Sequence, residues 1–185
     1  MSSIFNTSEN ANGTWIWTIT AKIGDMLEKA ESKYGERDKT YTFLGIEMTN
    51  IGNPYIWFLG PDKNKFIIRI NERCLNDMDY AVFQISQEII HFLCPNEKSN
   101  VLEEGLATHF GNEYYKSCGL TSWTINDNKY LNALKLVEQL FAIDQDIIMK
   151  IRKTHKNISS ITKEIIMDTN QKIPECLAEQ LTEKF

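Results

Sequence analysis

Gln87, Glu88 and His91 are the residues of this chain whose types and spacing best suit chemistry. Positions 87 and 91 lie one helical turn apart, so on a helix their side chains enter the same space, and Glu88 stands beside them at i, i+3 to His91. An imidazole and a carboxylate placed together can share a metal ion and its water, or move a proton to or from a reacting group. Twelve residues separate His91 from Glu104, the second member of an acid pair, Glu103-Glu104, that Gly105 follows. Pro95 and the polar stretch after it let the chain double back, so Glu104 can face the first helix from a second one. Taken singly, E-x-x-H on an amphipathic helix or an acid pair at a helix start is ordinary solvated surface. The joint pattern of helix, break, loop and acid pair in register is far rarer.

The two segments, Gln87-Glu88-Ile89-Ile90-His91 and Leu102-Glu103-Glu104-Gly105-Leu106-Ala107-Thr108-His109-Phe110, together resemble the H-E-x-x-H … E-G-x-A signature of gluzincin-type zinc metallopeptidases. The resemblance spans about residues 41–116 and is specific over 84–110. It implies a zincin-like α+β fold, with a small antiparallel sheet packed on the active-site helix and an edge strand beside the substrate cleft. His91 matches the second histidine ligand and Glu88 the general base. Glu104 matches the glutamate ligand, because the family's ligand directly precedes the glycine. Gln87 falls where the first histidine ligand belongs, and there the sequence departs from the pattern. A neutral amide oxygen is a poor replacement for imidazole, and losing a mere supporting group of a metal ligand already costs ~10–100-fold in affinity. Zinc, the cofactor the resemblance implies, is therefore expected to be weakly held or absent. His109, five residues after Glu104, projects from another face of its helix. His155 lies in a distant segment.

Three functions follow from these residues. The first is a metallopeptidase-like protein with a degenerate Q-E-x-x-H site, weakly active or inactive, whose cleft binds a peptide or protein or serves regulation. The second is an active zinc metallopeptidase in which Gln87, His91 and Glu104, or a further ligand from elsewhere in the chain, hold the metal and Glu88 activates water. The third is a helical interaction module whose motif match is accidental. Without a metal, Glu88 and Glu104 would bring like charges together and raise at least one of their pKa values.

The elements that must position these residues are legible in outline. Residues 1–14 are polar and read as a loose lead-in, and 15–185 as a single domain, its sheet and metal-helix part at 15–116 and a helical part at 117–185. A helical stripe runs over 15–34 and ends at Gly35. Strand-like runs at 41–48, 55–59 and 65–70, with turn residues at 60–64, predict a small antiparallel sheet containing one hairpin. Helices follow up to Cys94, where Pro95 closes the first, then over 101–115 with Asn100 as N-cap, 130–152, 160–168 and 174–184. The order of helix, small sheet, then helices makes the class α+β.

Composition narrows the partners. With 185 residues and 42% hydrophobic content, the chain can bury a core without staples. A net charge of −5 argues against a nucleic-acid backbone as partner, and the basic cluster Lys150, Arg152, Lys153 and Lys156 reads as a solvated helix end. No apolar run approaches the ~20 residues that a membrane span needs. Cys74, Cys94, Cys118 and Cys176 form no C-x-x-C pair, which favours reduced thiols and a cytoplasmic setting.

Overall fold

The computed structural model describes residues 6–9, 15–17 and 19–185. Asn6–Glu9 (β1) pairs antiparallel with Trp15–Trp17 (β2), and helix α1 follows over Ile19–Tyr34. The helical stripe expected from residue 15 therefore begins four residues later. Its first residues, Trp-Ile-Trp, are aromatic and β-branched, types that fit a pleated strand better than a helix. Part of the expected lead-in, residues 1–5 and 10–14, lies outside the described residues.

The sheet comprises Thr42–Thr49 (β3), Tyr55–Leu59 (β4) and Lys65–Asn71 (β5) in the order β3-β5-β4. β4 and β5 form the expected antiparallel hairpin, but β3 runs parallel to β5, so the sheet is mixed rather than antiparallel. Alternation in the sequence fixes which residues face inward and leaves the choice of neighbour open. The central place falls to β5, whose inward residues Phe66, Ile68 and Ile70 are all fully buried. β4 is left as an edge, with Tyr55 and Trp57 exposed on the outer face.

Helix α2 (Met78–Leu93) lies against the inner face of the sheet. Asp77 caps its start by accepting a hydrogen bond from the Tyr80 N–H, and it stops at Cys94, ahead of Pro95. Ile85, Ile89 and Phe92 of α2 join the sheet's inward residues in one core, in which the rings of Phe43, Phe66 and Phe92 meet at centroid distances of 4.9–5.6 Å. Each such side chain stabilises the fold by about 1.5–3 kcal/mol on full burial. Gln84 is a buried polar exception: its amide accepts from the Asn71 N–H and donates to Gly52 O and Tyr80 Oη, which ties α2 to the end of the sheet.

Helix α3 (Val101–Ser117) doubles back along α2, with Asn100 as the expected N-cap. Helices α4 (Asn128–Ile143), α5 (Ile147–Arg152), α6 (Lys163–Thr169) and α7 (Glu175–Thr182) complete the chain. The single helix expected over 130–152 is two. Asp144 is extended at the end of α4, and its carboxylate accepts from the Asp146 N–H, Lys150 Nζ and Asn170 Nδ2, which holds the break open. Arg152 is no solvated helix end: buried, it donates to the carbonyls of Tyr34, Gly35, Glu36, Leu93 and Lys156 and locks the ends of α1, α2 and α5 together. Among the described residues no helix is long and apolar enough to cross a membrane. The four cysteines are free thiols, with Cys74 and Cys94 buried.

Two glycines of α3 let its neighbours approach. A Cβ at Gly105 would stand 2.5 Å from the Ala133 carbonyl oxygen of α4, and one at Gly111 would stand 3.0 Å from Gln87 Cγ of α2. Gly105→Ala is therefore expected to lower stability by about 1–3 kcal/mol through overpacking against main chain. Gly24→Ala on α1, where a Cβ meets nothing within 4 Å, should stabilise by about 0.5–1 kcal/mol, as alanine does in a helix. Urea unfolding of both variants beside the parent provides the comparison. Equal stabilities for Gly105→Ala and the parent would contradict the close α3–α4 contact.

Candidate functional site

The spacing on α2 puts Gln87, Glu88 and His91 on the side of the helix that meets α3 and the cleft. His91 is the hinge of the arrangement. Its Nδ1 lies 3.0 Å from Glu103 Oε1, and its Nε2 lies 3.7 Å from Glu104 Oε1, so both acids of the first turn of α3 hold one imidazole from opposite ring nitrogens. Glu103 is 1% exposed, whereas Glu104 and His91 retain 13% and 18% and face the cleft. The Asn96 amide donates a second, longer hydrogen bond to Glu103 Oε1, at 3.4 Å, while Oε2 is buried without a partner. Both acids sit at the N-terminus of α3, where the helix dipole favours negative charge.

Two cavities of about 500 and 220 Å³ meet at this cluster, and Glu88, His91, Glu104 and Tyr130 line both. One wall of the larger is β4: the consecutive residues Tyr55, Ile56, Trp57 and Phe58 all contribute. Successive side chains of a strand point to opposite faces, so a cavity bordered by four in a row runs along the strand's open edge, with its unpaired N–H and C=O groups. Across the larger cavity the Lys63–Glu97 ion pair, at 2.6 Å, joins the β4–β5 turn to the α2–α3 loop.

The charges in the cluster are unevenly matched. Burial works against a charged imidazole, yet the hydrogen bonds and charges of Glu103 and Glu104 outweigh it and hold the His91 pKa well above its usual value. Burial also pushes the Glu104 carboxyl up, but His91, the neighbouring Ser99 hydroxyl and the charge of Lys129 prevail and keep it below the ordinary range. Glu88 has no such help. Burial, with Glu104 and Glu103 adding repulsion against the pull of His91, pushes its carboxyl up to about 7. The like-charge conflict expected between Glu88 and Glu104 thus falls on Glu88.

Of the other residues weighed from sequence, His109 contacts Tyr34 Oη and Glu113, each at 3.4 Å, and the ring of Phe141, away from the cleft. His155 pairs with the hydroxyl of Thr154. Two residues of the cluster escaped the sequence reading. Glu103 read as a neighbour of Glu104 and proves to be the acid that orients His91. Tyr130, at the start of α4, carried no motif; the ring of Phe185 packs against it at 4.9 Å and holds it beside the cleft.

The donor set was tested against zinc. Ligand atoms of a tetrahedral zinc ion sit roughly 3.4 Å apart at the usual bond lengths, and the 3.7 Å between His91 Nε2 and Glu104 Oε1 is close to that. Glu103 on Nδ1 is the kind of support that metal-binding imidazoles have. The third place of a catalytic set, however, is held by the neutral amide of Gln87, and among the described residues no group of three His, Cys, Asp or Glu side chains is placed to hold a metal ion. Two strong donors and an amide do not fit a catalytic zinc ion, which takes three strong ligands and a water. No family model, curated protein or solved structure matches this chain.

The strain on Glu88 has a testable pH signature. Its folded pKa lies above its ordinary value of 4.5, so between 4.5 and about 7 the folded protein holds a proton that the unfolded chain has lost. Stability therefore falls as pH rises through that window, and the full penalty stands above it. The His91 contribution, from a raised imidazole pKa, is complete below its ordinary 6.5 and is lost only as pH rises through its higher folded value. Glu88→Gln removes the Glu88 penalty alone. It should raise stability by about 1–3 kcal/mol at pH 8 and by little at pH 4.5, as read by urea unfolding at both pH values. A variant less stable than the parent at pH 8 would show Glu88 to be favourably paired.

Proposed function

We propose that this protein is a metallopeptidase-like, zincin-related pseudoenzyme whose degenerate Q-E-x-x-H site no longer holds a catalytic metal and whose cleft binds an extended peptide or protein segment. The observation that carries this reading is the meeting of Glu88, His91 and Glu104, from two helices, at the junction of cavities that run along the open edge of β4. An extended segment laid against β4 would continue the sheet, its main chain paired with the strand and its side chains reaching toward α2 and α3. Glu103 and Glu104 clamp the imidazole, so His91 acts as a fixed part of the wall. The zincin relationship is supported by the order of sheet, α2, break and α3, and by the acid pair before Gly105 meeting His91.

A hydrolytic reading draws on one observation of its own. A carboxyl pushed up to about 7 is tuned for a general base at neutral pH. Cleavage of a mixed peptide pool by the parent with added zinc, abolished in Glu88→Gln, would favour that reading over binding alone.

The deciding residue is Gln87. Gln87→His is expected to complete a two-imidazole, one-carboxylate set and bind stoichiometric zinc at least ~100-fold more tightly than the parent, with a zinc-dependent gain in melting temperature. Glu104→Ala in the same variant should abolish the gain. Calorimetric zinc titration of chelator-treated proteins reads the outcome. Tight stoichiometric zinc in the parent would overturn the degenerate-site reading, and no gain in the variant would overturn the zincin relationship.

A further inference from the structure

We propose that the junction of the two cavities binds a primary ammonium group, held by the side-chain oxygens of Gln87, Glu88 and Glu104. The inference rests on the peptide-binding reading and names the chemistry that the ligand must bring. An ammonium carries three N–H donors and no acceptor. The smaller cavity presents a matching number of oxygen-bearing groups: the two carboxylates of Glu88 and Glu104 and the amide of Gln87.

Two of these groups are otherwise unused. Glu88 is 6% exposed, and neither its side chain nor that of Gln87 has a hydrogen-bond partner among the described residues, although both line the cavity. The Glu88 carboxyl therefore faces the cavity with no protein donor on it, open to a donor from outside. The charge balance points the same way. Three carboxylates, Glu88, Glu103 and Glu104, surround the one imidazole of His91, and Glu103 is spent on its Nδ1. The ammonium of Lys129 lies 3.8 Å above the ring of Phe185, held by that face. An imidazole at position 87 would bring a ring nitrogen to this space; the glutamine brings an amide instead, whose carbonyl oxygen can accept from a compact N–H donor.

The cavity shape fits an ammonium that ends or leaves a peptide. Phe83 and Tyr130 line the small cavity beside the three acceptors and give an apolar and π-electron wall for the adjoining carbon atoms. The larger cavity continues along β4, where the rest of the chain would lie. The ammonium comes either from the α-amine of a peptide or from a lysine side chain, and both present the same three donors.

The test uses the full chain after chelator treatment, with three probes followed by calorimetry or amide NMR shifts. They are Ala-Leu-Ala-Ala-amide with a free α-amine, its N-acetylated form, and N-acetyl-Ala-Lys-Ala-Ala-amide. At least one amine-bearing probe should bind about tenfold or more tightly than the acetylated, lysine-free peptide, as expected for hydrogen bonds to a charged group. The stronger of the two arms identifies the source. Gln87→Met, which keeps the length and removes the amide, and Glu88→Gln should each reduce that preference about fivefold or more. Thermal melts of both variants establish that they are folded. Equal binding of amine-bearing and acetylated probes, or a preference that survives both substitutions, overturns the ammonium site and leaves peptide binding standing. Binding of none of the three peptides overturns the ammonium site and the peptide-binding reading together.

Discussion

The clamp of one imidazole between two carboxylates is the constraint on which the site depends. His91 of α2 meets Glu103 at one ring nitrogen and Glu104 at the other, so a single side chain ties the active face of α2 to the first turn of α3. Burying Glu103 is costly, more so with one oxygen unpartnered, and the cost is tolerable only because His91 supplies the opposite charge at hydrogen-bonding distance. Taking the imidazole away would leave a buried carboxylate alone, a loss of about 3–5 kcal/mol for a broken buried pair. The clamp also decides what remains for ligands. It uses the cation of the cluster on Glu103 and Glu104, and Glu88, one helical position after Gln87, is left facing the cavity with only the pull of His91 to offset its charge.

The helices supply this geometry with two glycines at their contacts, where a side chain would crowd the neighbour. Gly111 brings α3 onto Gln87 and Ser86 of α2, and Gly105 brings α4 onto the opposite side of α3. Gly105 directly follows Glu104, so the residue that permits the close α4 packing neighbours an acid of the clamp. The same approach carries Tyr130 to the edge of the cleft, where Phe185 steadies it. Packing and site are thus coupled through α3, a helix buried over most of its length whose cleft-facing positions include Glu104 and Thr108.

Much of this was legible in the sequence, for identifiable reasons. Helical spacing placed Gln87, Glu88 and His91 together, and the break at Pro95 with the cap at Asn100 foretold the return of α3, because these signals are local. What required the third dimension was missed. The spacing alone cannot tell which of two adjacent acids reaches a partner helix, since that depends on the interhelical distance that Gly111 sets; both reach it, at different nitrogens. The position of Tyr130 depends on the packing of α4 and Phe185, which no motif encodes. The sheet order was hidden too, because inward alternation is the same whichever strand lies next door, and β3 proved parallel to β5. The break between α4 and α5 is held in part by Asn170, which donates to Asp144 from 26 positions along the chain. Arg152 shows the same limit from the other side: a basic residue that composition assigns to solvent is a buried main-chain clamp.

The central claim is that Glu103 and Glu104 hold the His91 imidazole between them and raise its pKa. Nitrogen-15 NMR of the His91 ring, followed from pH 5 to pH 9 in chelator-treated protein, reads it directly. The account predicts that both ring nitrogens stay protonated well past pH 7, with the Nδ1 proton shifted downfield by its bond to Glu103. An imidazole that loses its proton at or below its ordinary value of 6.5 would contradict the clamp, and with it the charge balance assigned to the cleft.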